Sequence, residues 1–143
     1  MRSESPTALA AQLHTALTSI TQLAAVINEA AWSAPSPVLG LTLGQGTHAL
    51  LQDAYVHGDD IRDALCLPLD AGPGLHASLD FVLGALLRDD TARVKPAIAR
   101  LLAVPAAHFT QQTGMAAYDF LLAATGRRDP ASLRLPKSVI IFR

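Results

Sequence analysis

The chain has 143 residues, half of them hydrophobic, 16% charged and 5% aromatic, a size that gives one ordinary domain a core of its own and leaves no room for two. Alanine and leucine supply about a third of the residues, which excludes disorder and favours an all-α fold. With 11 Lys and Arg against 12 Asp and Glu the formal charge is -1, no electrostatic footprint for nucleic acid or an acidic membrane, and the single cysteine, Cys66, excludes internal disulfides and multi-cysteine metal cages and fits a reducing, cytoplasmic setting.

Residues 5–28 contain no Asp, Glu, Lys or Arg, but Gln12, His14, Thr15, Thr18, Ser19 and Gln22 interrupt the apolar run that a membrane span needs. Arg2 is followed at once by Glu4, which is not the order of a secretory signal. Neither a span nor a signal is therefore expected. From Thr7 to Ala31 the residues Leu9, Leu13, Ala16, Ile20, Leu23, Ile27 and Ala31 recur at steps of four and three, predicting one long helix. The prolines of Ser33-Ala34-Pro35-Ser36-Pro37 predict a non-helical connection. A second helix is expected from somewhere between Thr42 and Thr47, its start blurred by Gly44 and Gly46, to about Leu65. Asp70-Ala71-Gly72-Pro73-Gly74 reads as a turn. Leu75, Leu79, Val82 or Leu83, and Leu86 mark a third helix ending in Arg88-Asp89-Asp90. Val94, Ile98, Leu101 and Leu102 mark a fourth, stopped by Pro105. Residues 106–113 show no clear period. Met115, Tyr118, Leu121 or Leu122, and Thr125 describe a fifth helix with Gly126 as its C-terminal cap. The apolar tail Ser138-Val139-Ile140-Ile141-Phe142-Arg143 reads as a short strand or extended segment laid on the core.

The second helix carries the candidate chemistry. Apolar spacing assigns Leu50, Ala54, Ile61 and Leu65 to its core face, and the series places His57 among them. Asp53, four residues earlier, lies one turn away on the same side. A buried carboxylate needs a partner. A divalent metal would provide one, and so would a hydrogen bond from the His57 imidazole with no metal at all. Two ligands are fewer than a zinc site usually takes, and His14, His48, His76 and His108 offer no obvious third. The run Gly58-Asp59-Asp60-Ile61-Arg62-Asp63 reads as a solvated face, within which Arg62 could instead anchor an anionic substrate. Arg127 and Arg128, after the Gly126 turn, have the same two readings. Cys66 has no basic sequence neighbour to lower its pKa and reads as a packed, inert thiol.

The segment Asp53-Ala54-Tyr55-Val56-His57-Gly58-Asp59-Asp60-Ile61-Arg62 resembles the metal-binding segment of the mycothiol-dependent maleylpyruvate isomerase family, a branch of the DinB-like four-helix bundles, in which an acidic residue and a histidine four apart precede a G-x-D-I-R run. Ala123-Ala124-Thr125-Gly126-Arg127, Asp129-Pro130 and the closing Val139-Ile140-Ile141-Phe142-Arg143 resemble the T-G-R-x-D-P … V-N-I-Y-R ending of actinobacterial members. The resemblance implies an up-down-up-down bundle holding one metal by three ligands, at which the sulfur of the thiol cofactor, mycothiol, is activated. Asp53 and His57 match two of those ligands, zinc being the expected ion. The segment W-T-V-x-D-L-x-x-H-L, which brings the third, has no counterpart here.

Helices 7–31 and 42–65 accordingly resemble the third and fourth bundle helices, and the chain is expected to lack the first two. Residues 1–88 are then a partial bundle and residues 89–143 a C-terminal helical extension packing on the same core. Uncovered apolar faces on both helices imply association, and a homodimer could complete a metal site between two Asp53/His57 pairs. The resemblance also places Cys66 where the family usually has glycine, and Phe142 in place of tyrosine. Two functions follow: a metal- and mycothiol-dependent transferase or isomerase in which Arg62 or Arg127 holds a small anionic substrate, or an inactive helical module that dimerises or binds another protein without metal.

Overall fold

The computed structural model describes residues 5–36, 41–88 and 95–141. Among them are seven α-helices: α1 (Pro6–Val26), α2 (Glu29–Trp32), α3 (Leu43–Ala64), α4 (Pro73–Arg88), α5 (Lys95–Leu102), α6 (Phe109–Thr113) and α7 (Ala117–Ala124). Short 3-10 turns follow at Ala106–His108, Pro130–Leu133 and Lys137–Val139. The described residues are all-helical, and their one extended pairing is an isolated bridge between Pro35 and Thr42. No helix among them is long and apolar enough to cross a membrane.

The chain divides into two compact units, residues 1–47 and 48–143. In the second, α4 buries its apolar stripe against α5 and α7. In the first unit α1 starts where Ser5 caps it, its hydroxyl accepting from the Ala8 N–H at 3.2 Å, with Pro6 at the first helical position. The long helix expected to Ala31 stops at Val26, because Ile27 turns extended and Asn28 caps a new helix, its side chain accepting from the Ala31 N–H. Asparagine competes for backbone groups inside a helix and satisfies them at its start. Helix α3 opens with a capping box: Thr42 Oγ1 accepts from the Gln45 N–H, and Gln45 Oε1 accepts from the Thr42 N–H. Gly44 sits inside this turn because a Cβ there would strike the Trp32 indole. Helix α1 buries no residue, and Leu9, Leu13, Leu17 and Leu23 are exposed.

The core belongs to the second unit. Leu79, Val82 and Leu86 of α4, Ile98 and Leu101 of α5, Phe109 of α6 and Phe120, Leu121 and Ala124 of α7 are almost fully buried. Phe109 and Phe120 pack with ring centroids 5.1 Å apart in a tilted arrangement. The expected third, fourth and fifth helices are α4, α5 and α7; Asp89, Asp90, Val94, Phe142 and Arg143, like Pro37 of the first connection, lie outside the described residues. Among the described residues of the tail, up to Ile141, no strand forms. The tail forms the 3-10 turn at Lys137–Val139, buries Val139, and then donates the Ile141 N–H to the Ala124 carbonyl at the end of α7. Val139 is thus placed in the core by a turn, with Ile140 and Ile141 partly buried beside it.

Two helices end in the same backbone device. After α7, Gly126 adopts φ 77°, its N–H reaching the Ala123 carbonyl and the Arg127 N–H the Leu122 carbonyl. After α3, Cys66 adopts φ 55°, its N–H reaching the Asp63 carbonyl and the Leu67 N–H the Arg62 carbonyl. Both are Schellman closures, whose left-handed residue is normally glycine. Cys66 is exposed, which corrects the expectation of a packed thiol: a helix-terminating left-handed residue faces away from the interior. A side chain there costs roughly 1–2 kcal/mol. Cys66→Gly should therefore raise stability by about 1 kcal/mol after glycine's greater unfolded-state entropy is subtracted, and Gly126→Ala should lower it by about 1–2 kcal/mol. Shifts in the urea unfolding midpoint at constant m-value check both; equal and negligible shifts would contradict the assignment.

Candidate functional site

Helix α3 carries apolar residues on more than one side, so its buried face is decided by what packs against it. The side toward the core is Gln52, Val56 and Asp59, with Tyr55 partly buried beside Val56. The face expected to be buried is instead exposed: Leu50 at 53%, Ile61 at 60% and Leu65 at 63%, together with Ala54 and His57. The reason is the neighbouring polar chemistry. Asp59 is buried because the Tyr118 hydroxyl of α7 donates to its Oδ2, and the Tyr55 hydroxyl donates to the Asp70 carbonyl at 2.6 Å. Burial raises the Tyr55 pKa to about 12, with Asp59 and Asp70 adding to it. Burial also raises that of Tyr118, reinforced by the hydrogen bond to Asp59.

One register step from Asp59, a polar cluster lies at the surface. Asp53 Oδ1 stands 3.5 Å from His57 Nε2, and both side chains are about two-thirds exposed. The pair is thus neither buried nor drawn to ordinary hydrogen-bond length. On the other side of the ring, His57 Nδ1 faces Asp60 Oδ2 at 3.3 Å. Asp60 in turn accepts two hydrogen bonds from Arg127, from Nε at 2.8 Å and from Nη2 at 2.7 Å, the bidentate fork that a guanidinium makes with a carboxylate. These bonds lower the Asp60 pKa below its ordinary value, against the opposing effect of burial, and raise that of Arg127.

Three of the four site residues read from sequence, Asp53, His57 and Arg127, are thereby brought together, through a residue that sequence reading treated as solvated surface, Asp60. Arg62 is not part of the group; its Nη2 lies 3.9 Å from Asp70 Oδ2, a loose surface pair. Arg128 is held by Asp119. Neither the Asp60 to Arg127 link nor the Asp59 to Tyr118 link has a local signal, since their partners stand 67 and 59 positions apart. Among the described residues, no group of three or more His, Cys, Asp or Glu side chains is arranged so that it could hold a metal ion. Comparisons with protein-family models, with curated proteins and with solved structures give no match.

Tyr118→Phe keeps the ring and removes the donor to a buried carboxylate. It should cost about 1–3 kcal/mol, measured by chemical denaturation. A loss below about 0.5 kcal/mol, the size of a neutral surface substitution, would show that Asp59 does not depend on this bond.

Proposed function

We propose that the chain is a metal- and mycothiol-dependent transferase or isomerase of the maleylpyruvate isomerase type, built on part of a DinB-like four-helix bundle, with Asp53 and His57 as its contribution to the metal. The observation that carries this reading is the 3.5 Å between Asp53 Oδ1 and His57 Nε2. Two donors bound to one tetrahedral zinc at ~2.0–2.2 Å stand about 3.4 Å apart, whereas a hydrogen-bonded pair would close to about 2.9 Å. The donor set, one carboxylate and one imidazole on an open helix face, fits a site whose remaining positions go to water, a thiol or a second chain. When bound, such an ion supplies the Lewis acidity that lowers the pKa of a thiol or water and stabilises developing negative charge.

The chain's own residues do the rest. Asp53 and His57 are set by consecutive turns of one helix, so their separation follows from helical geometry. Arg62, loosely paired with Asp70, can exchange that partner for the carboxylate of a small anionic substrate. Arg127 is already committed to Asp60 by two hydrogen bonds and is the less available of the two arginines proposed to hold substrate.

Zinc titrated against a chromophoric chelator should bind at about one equivalent per chain, or per dimer, and His57→Ala and Asp53→Ala should abolish that binding while leaving the helical signal intact. Absence of stoichiometric zinc binding by the unaltered chain, or binding unchanged in His57→Ala, would overturn the proposal.

A second reading is favoured by exposed apolar residues in each unit. Leu50, Ile61 and Leu65 on α3, and separately Leu9, Leu13 and Leu23 on α1, suit a helical association module that pairs with a second copy and carries no metal. Sedimentation should then show a concentration-dependent dimer weakened by Ile61→Glu and Leu65→Glu, with no zinc bound. A monomer throughout the range would contradict it.

A further inference from the structure

We infer that α3 is a strap: from His48 on it comes away from the rest of the second unit as one piece while α4 to α7 stay folded, and it is held there by hydrogen-bonded links to α7 and its closing turn rather than by apolar burial. What the helices bury carries this. Within the second unit α3 buries Gln52, Val56 and Asp59, one apolar side chain and two polar ones. Helix α4 buries Leu75, Leu79, Val82, Leu83 and Leu86, with Ser78 as its polar member. Stabilisation by burial follows apolar area, so the core built by α4 to α7 holds itself together and α3 adds little to it.

The hold on α3 is directional instead. The Tyr118 hydroxyl of α7 donates to Asp59 Oδ2, and Arg127, in the turn after α7, donates to both oxygens of Asp60 at 2.8 and 2.7 Å. Asp59 and Asp60 are neighbours on one helix, so the two links make and break together. The side of α4 that meets α3 is marked by Gly74, where an added Cβ would stand 2.9 Å from the Tyr55 ring. Ser78 follows one turn later on that side. It is fully buried, and among the described residues its Oγ has no hydrogen-bond partner. Such a hydroxyl gives up its hydration with no bond gained, and water reaches it when α3 leaves. The seam therefore holds two links that keep it shut and one group that favours opening. A detached α3 has no neighbour to support it, and Gly46 and Gly58 weaken it as an isolated helix, so opening is read directly as amide exchange.

The test is native-state hydrogen exchange followed by NMR at residues 52–59 of α3 and 79–86 of α4. The α3 amides should exchange at least about tenfold faster than those of α4. Tyr118→Phe should speed α3 exchange by about a further tenfold, the loss of one hydrogen bond to a buried carboxylate. Arg127→Ala, which breaks the more exposed link and serves if the first variant does not fold, should speed it by up to about fivefold. Ile98 is fully buried on α5, which packs on α4; Ile98→Val should speed the α4 amides by about threefold to tenfold and leave those of α3 unchanged. Ser78→Ala should slow α3 exchange by about threefold or more, and because α4 stays helical during the opening, alanine's higher helix propensity does not enter. Equal exchange of α3 and α4 in the unaltered chain would overturn the inference. So would an α3 that follows Ile98→Val, an α3 indifferent to Tyr118→Phe and Arg127→Ala, or a Ser78→Ala variant that opens as fast or faster.

Discussion

Two adjacent carboxylates fasten α3 to the elements that end in α7 and its closing turn, and the arrangement of the candidate site depends on both. Asp59 takes the Tyr118 hydroxyl inside the protein, while Asp60 takes the Arg127 guanidinium at its edge. Val56 is the fully buried apolar side chain that α3 gives to the core of this unit. Apolar contact is non-directional, so one valine cannot set how far a helix is rotated about its axis. Hydrogen bonds are directional, and consecutive residues point about 100° apart around a helix. A helix held at two neighbouring positions by partners on one wall has a single rotation available, and that rotation leaves His57 outward.

The outward face then combines features that ordinary surfaces keep apart. Leu50, Ile61 and Leu65 are more than half exposed on the helix that also presents Asp53 and His57. Isolated exposed leucines need no explanation. Around a carboxylate and an imidazole, apolar residues covered by a partner would give a water-poor setting that strengthens the electrostatic interactions beneath it. Covering the face and binding a ligand at it would then be coupled demands, and the two proposed readings differ in which of them the residues chiefly meet. The open positions of a two-donor site and the uncovered apolar rim would be completed by the same event if the cover is a second chain.

Local signals in the sequence were legible wherever the backbone alone decides. The stripe of α4 and the left-handed Gly126 can both be read from a few consecutive residues, and the all-helical class follows from composition; the turn expected over Asp70–Gly74 is shorter, because α4 already starts at Pro73. The Thr42-x-x-Gln45 capping box was equally readable but was obscured by the glycines around it. Asn28 falls inside the long helix expected to Ala31, whereas its side chain marks a helix start. The choice of buried face on α3 was not legible. Hydrophobicity favoured the side with Leu50, Ile61 and Leu65, and the packed side contains Gln52 and Asp59, polar residues whose burial depends on a partner elsewhere in the chain. The long-range pairs that make the site, Asp59 with Tyr118 and Asp60 with Arg127, leave no periodic trace in one sequence.

The run Thr125-Gly126-Arg127-Arg128-Asp129-Pro130 shows how a short motif can serve placement as well as chemistry. Thr125 returns its hydroxyl to the Leu121 carbonyl, and Gly126 supplies the left-handed turn that ends α7. Arg127 then leaves toward Asp60 and Arg128 toward Asp119. Asp129 caps the following turn by accepting from the Ala131 N–H, and the buried Pro130 starts it. Each residue type is required by a different local constraint, and the side chain they jointly aim is Arg127. Lysine could match the charge at that position without the fork geometry, and any residue but glycine at 126 would strain the turn that directs it. The motif can therefore be understood as a device that sets the angle of one guanidinium, and with it the carboxylate of Asp60 to which it is bonded.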